Sequence, residues 1–147
     1  MNISESNLRK IMKISNLPKE LDNLLTESNL KEPKMCFMNC YIAVMNTLSK
    51  DEFDLHYVLG TVYTPEGDTF EHALIKWNGK YFDPTLEPQN LHHVCTYNIH
   101  KEFSSLEIVH MLKEKFEISH IKDMIFGKNP HWPLVKTQKG LYEFIDI

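Results

Sequence analysis

Long apolar runs are missing from this sequence. The longest uninterrupted one, Cys40 to Met45, falls far short of the ~20 residues that a membrane-spanning helix requires, and the mean hydropathy is −0.35. Arg9, Lys10 and Lys13 interrupt the apolar positions of the first turns, so no continuous signal-peptide core forms and a cytoplasmic chain is expected. Cysteine is scarce and odd in number, 3 in 147 residues. That pattern excludes a disulfide-stapled secreted domain and leaves Cys36, Cys40 and Cys95 as expected free thiols. A basic excess is lacking too: 16 Lys and Arg stand against 20 Asp and Glu, for a net charge of −4. With a pI near 6.0, no nucleic-acid partner is expected, because phosphate binding needs clustered cations. Lysines exceed acids locally between Lys113 and Gly140, which reads as a solvated face. The 5 glycines, 7 prolines and 11% aromatic content exclude collagenous, low-complexity and disordered chains.

What is present fits one packed domain spanning 1–147, since 42% of residues are hydrophobic and no repeat, linker or charge block divides the chain. Ser4 to Ile14 reads as a short helix with Leu8, Ile11 and Met12 on one face, and Pro18 followed by KELDNLL reads as a second, with proline in its first turn. Past the breaker Pro33, MCFMNCYIAVMNTL sets Met38, Tyr41, Ile42, Met45 and Leu48 at helical spacing, so a helix begins close to Cys36. The pattern then changes to strands: HYVLGTVY, TFEHALIKW and KYFD are rich in β-branched and aromatic residues. A further strand is expected from His93 to Ile99. Ser104 and Glu107 form a capping box ahead of a helix with Leu106, Val109, Leu112 and Phe116 as its stripe. Gly127, Pro130 and Pro133 mark an irregular tail, and LYEFIDI suits an added edge strand. Helices, strands, then a helix and tail predict an α+β fold with an antiparallel sheet.

Chemistry follows from the Asn78-Gly79 dipeptide, the strongest local signal of a two-residue type I′ hairpin. Such a turn sets Trp77 opposite Lys80, Leu74 opposite Asp83 and His72 opposite Thr85. Positions 72, 74, 81, 83 and 85 then share a face, with His72 and Asp83 as diagonal neighbours within reach of each other. A carboxylate beside one ring nitrogen orients an imidazole and leaves its other nitrogen to take a proton from a nucleophile. Cys36 is the candidate nucleophile, because the free N–H groups and dipole at a helix start favour a thiolate. Cys40, one turn on, is expected to pack.

KMCFMNCYIAV with EHALIKWNGKYFDPT downstream resembles the papain-like and transglutaminase-like thiol enzymes, which keep a nucleophilic Cys at a helix start and a His and an Asp on adjacent strands. The run Tyr81-Phe82-Asp83-Pro84-Thr85 is similar to the transglutaminase-like pattern in which the catalytic Asp precedes Pro-Thr. The resemblance implies a papain-like or transglutaminase-like core, with helices carrying the nucleophile packed on the sheet. It also implies Cys36 as nucleophile, His72 as general base and Asp83 as orienter, acting on an amide of a protein or peptide through an acyl-enzyme without a cofactor. The chain departs from the pattern where Leu74 follows Ala73, the tryptophan coming at Trp77, and where Leu30 replaces the papain-like oxyanion Gln. Asn29 and Asn39 are the candidate oxyanion donors beside the Cys36 N–H.

His92, His93, Cys95 and His100 carry ligand types suited to zinc. Adjacent histidines on a strand would face opposite ways, so no metal is expected, while His93 and Cys95 would share a face. Met35, Met38 and Met45 read as core fillers, and Trp132 as packing on the sheet. The rival to a thiol hydrolase is a binding or inhibitor module of the same fold that uses the cleft to hold a partner.

Overall fold

The computed structural model describes residues 10–11, 13–116 and 133–145. Its elements run β1 (Lys10–Ile11), α1 (Lys19–Glu27), α2 (Cys36–Asn46), β2 (His56–Tyr63), β3 (Thr69–Trp77), β4 (Lys80–Phe82), β5 (Thr96–Phe103), α3 (Ser105–Phe116), β6 (Leu134–Lys136) and β7 (Tyr142–Phe144), with a 3₁₀ turn at Glu87–Gln89. A five-stranded sheet in the order β1-β5-β2-β3-β4 is antiparallel at every pairing, and β6 and β7 form a separate two-stranded sheet. The architecture is α+β. No helix among the described residues is long and apolar enough to cross a membrane.

Strand alternation divides the core in two. Tyr57 and Leu59 of β2, Ala73 and Ile75 of β3, and Phe82 of β4 point to the face covered by Leu21 and Leu25 of α1, Tyr41 and Val44 of α2, and Ile108 and Leu112 of α3. Val58, Val62, Leu74 and Tyr97 point the other way and pack with Ile14 and Leu86. The β3–β4 hairpin has the expected register from Trp77 opposite Lys80 to Ile75 opposite Phe82, where the ladder ends, so that Asp83 and Thr85 follow in a turn instead of pairing with Leu74 and His72. Asn78 and Gly79 both have positive φ, 52° and 76°, as a type I′ turn requires.

Several expectations are corrected. Within Ser4–Ile14, Lys10–Ile11 is a strand on β5 and residues 13–14 are not helical; the rest of that segment lies outside the described residues. Pairing with an open sheet edge and burial of Ile14 in the second cluster override the helical periodicity. Pro18 caps α1 rather than entering it, at ψ 155°. The strand expected from His93 begins at Thr96 and runs on to Phe103. The capping box is present, with Glu107 accepting the Ser104 N–H at 2.9 Å and Ser104 accepting the Glu107 N–H at 3.1 Å, yet Leu106 is 73% exposed and Ile108 is buried in the stripe. The expected edge strand at LYEFIDI pairs instead with β6, and its hairpin is anchored to the core where the Tyr57 hydroxyl donates to the Leu134 carbonyl at 2.6 Å. Gly127, Pro130 and Trp132 lie outside the described residues.

Candidate active site

The site is built where the hairpin, the start of α2 and β5 converge. The His72 Nε2–H donates to Asp83 Oδ2 at 2.8 Å, and the two side chains are 3% and 0% exposed. The same carboxylate oxygen accepts the Tyr97 hydroxyl at 2.6 Å, while Oδ1 accepts the backbone N–H groups of Thr85 and Leu86 at 3.1 and 3.0 Å. Four donors thus occupy a carboxylate that offers about four lone-pair sites, so a buried negative charge is fully paired rather than stranded. The local chain sets this up: Asp83 follows the short β4 and turns into the 3₁₀ segment, its side chain capping the N–H groups that the turn leaves free.

Cys36 completes the group. It is the first residue of α2, 8% exposed, and no side chain caps that helix start. Cys36 acts on the His72 ring as a lesser upward cause beside Asp83, and because Nε2 is held by Asp83, Nδ1 is the ring nitrogen left for the thiol. Burial alone would push His72 down; the charge and hydrogen bond of Asp83, joined by Cys36, overcome it and hold the imidazole up to about 10. The ring is an imidazolium at neutral pH. Phe70 meets it edge-on at 5.5 Å, and the Tyr97 ring lies 6.3 Å away.

The turn before α2 aims the thiol. Lys34 takes a left-handed φ of 64°, uncommon for a residue with a Cβ, and the Met35 N–H closes the turn on the Glu32 carbonyl at 3.3 Å. Asn39, buried one turn into α2, donates from its amide nitrogen to the Glu32 carbonyl and to the Thr85 hydroxyl, each at 2.9 Å. That second bond ties the cysteine helix to the loop that carries Asp83.

Of the residues expected together, His72 and Asp83 are hydrogen-bonded, and Cys36 acts on the same imidazole. The two oxyanion candidates fare otherwise. The Asn39 N–H groups are both engaged, so Asn39 holds the scaffold instead of offering a donor. Asn29 is exposed in the exit turn of α1, with φ 55°, and no described contact joins it to Cys36. Cys40 is fully buried, and burial, with Cys36 and Asp83 as further causes, raises its pKa well above the ordinary thiol value; it packs, as expected.

Sequence reasoning misses Tyr97, Thr85 and the scaffold role of Asn39. The one signal that points to Thr85 is its place on the shared hairpin face. The histidine pair also differs from expectation. His92 and His93 lie in a turn, not a strand, and both Nε2–H groups converge on Asn16 Oδ1 at 2.7 and 3.0 Å, with rings 3.8 Å apart. His93 is exposed and Cys95 packs against the second cluster, while His100 turns to the Thr61 hydroxyl at 2.6 Å. Among the described residues no group of three or more His, Cys, Asp or Glu could hold a metal ion.

Comparison with known protein families, with curated proteins and with solved structures finds no match to this chain.

Proposed function

We propose that the protein is a cysteine-dependent amide hydrolase of papain-like or transglutaminase-like core, acting on a protein or peptide through a thioester acyl-enzyme. The observation that carries this reading is the buried His72–Asp83 hydrogen bond of 2.8 Å, with Cys36 acting on the same imidazole from the start of α2. Three unrelated buried side chains have little reason to line up as nucleophile, base and orienter; together they form the arrangement that nucleophilic catalysis demands.

The steps follow from the contacts. At rest the proton shared by the pair already sits on His72, so that the imidazolium, held by Asp83, stands as counter-ion to the Cys36 thiolate. Sulfur attacks the carbonyl carbon, and negative charge gathers on oxygen beside the Cys36 N–H, which as the first N–H of α2 has no partner within that helix. As the C–N bond breaks, His72 returns its proton to the leaving nitrogen, which departs as ammonia or an amine. Water, deprotonated by His72, then hydrolyses the thioester and restores the thiolate–imidazolium pair.

The test is acylation by p-nitrophenyl acetate. The proposal expects a burst of p-nitrophenolate and an acetyl group on Cys36 by mass spectrometry that disappears with time, and loss of both in Cys36→Ala and His72→Ala. Acetylation spread over surface lysines, unchanged in those variants, would refute it.

A further inference from the structure

We propose that Tyr97 is a fourth, positioning member of the site: its hydroxyl shares Asp83 Oδ2 with His72 and limits how strongly the carboxylate holds the imidazolium. The inference rests on the functional reading above and extends it to a residue on a third strand.

Topology makes the contact more than incidental. Tyr97 stands on β5 and His72 on β3, with β2 between them. Gly60 of β2 is the direct partner of His72 and, across the bulge at Leu59/Gly60, of Ile99. Glycine puts no side chain into the space between the two outer strands on that face, so the 2%-exposed tyrosine reaches over the middle strand to the carboxylate at 2.6 Å. A Cβ on Gly60 would fall 2.5 Å from the Asn98 carbonyl oxygen, so the strand approach that brings Tyr97 near depends on that glycine as well.

The chemical consequence lies in the shared oxygen. Oδ1 is already satisfied by two backbone N–H groups; the remaining negative charge sits on Oδ2, facing His72. A second donor on that oxygen draws off part of its charge and weakens the bond to His72 Nε2–H. The imidazolium then keeps its orientation but is freer to give its Nδ1 proton to a leaving nitrogen, the step that an over-stabilised imidazolium would slow. With both oxygens pinned, the carboxylate also cannot rotate away during turnover.

The experiment reads the His72–Asp83 bond directly, as the far-downfield proton resonance of His72 Nε2–H in the full chain, assigned by its loss in His72→Gln. In Tyr97→Phe, Oδ2 becomes the stronger acceptor and the resonance moves further downfield. In protein made with 3-fluorotyrosine, which donates more strongly and keeps the fold if Tyr97→Phe does not, it moves upfield. A resonance unmoved in both would overturn the role of Tyr97 and leave it as packing. Failure of the functional reading looks different: Cys36 alkylation by iodoacetamide would not depend on His72 in the wild type, and the proposal would fall with it whatever Tyr97 does to the resonance.

Discussion

Replacing Asp83 with asparagine should remove a specific pH dependence of stability. The perturbation is best made in a Cys36→Ala background, so that the thiol adds no proton of its own. In the folded chain burial pulls His72 down, but Asp83, the main upward cause, holds it up to about 10 against an ordinary 6.5. A folded state that binds a proton more tightly than the unfolded chain gains stability that is complete below pH 6.5 and lost as the pH rises through about 10. Cys36 supplies a lesser part of that rise and is absent from this background, so between about pH 7 and about pH 9 up to one proton separates the two states and the loss amounts to about 1–3 kcal/mol. The amide introduced by Asp83→Asn carries no charge, so burial then dominates and pushes His72 below its ordinary value; the same interval becomes nearly flat. Cys40 and Cys95 are raised chiefly by burial, which adds the same alkaline slope to both proteins, and to a lesser degree by Asp83, whose removal makes the Asp83→Asn curve flatter still. Urea unfolding followed by tryptophan fluorescence at a series of pH values gives the two curves. Parallel curves would refute the reasoning, because they would mean that Asp83 does not hold a proton on His72.

Two further substitutions probe the scaffold. Thr85→Val removes the acceptor of a buried Asn39 N–H and should cost about 1–3 kcal/mol by urea unfolding, with slower Cys36 alkylation as α2 loosens from the Asp83 loop; an unchanged midpoint would show that the tie is dispensable. Gly60→Ala places a Cβ 2.5 Å from the Asn98 carbonyl and should destabilise by about 1–3 kcal/mol, checked by the shift in Tm; a stability equal to wild type would show that β2 and β5 are free to part.

What is legible in the sequence is local. The Asn78-Gly79 turn fixes the β3–β4 register as far as Phe82, and Asp83, the next residue, bonds His72 at 2.8 Å. Pro33 and the apolar spacing after it place a helix start close to Cys36, which is the first residue of α2. What cannot be read is set by distant pairing. Tyr97 meets Asp83 only because β5 returns beside β2 with a bulge at Leu59/Gly60, and no periodicity in β5 encodes its partner. Lys10–Ile11 carries a helical apolar pattern but completes a sheet edge. Asn39 stands out in the sequence for its amide; its actual bonds, to Glu32 and Thr85, depend on how the helix start and the Asp83 loop pack together.

The central claim, that His72 activates Cys36, is tested most directly by the rate of iodoacetamide modification at each cysteine near neutral pH, read by mass spectrometry in wild type and His72→Ala. Exposure alone favours Cys95, which is half-buried, over Cys36, which is 8% exposed, and over Cys40, which is fully buried. The account predicts the reverse for the first two: Cys36 reacts ahead of Cys95 in wild type and loses that lead in His72→Ala. Modification in the order of exposure, the same in both proteins, would contradict it.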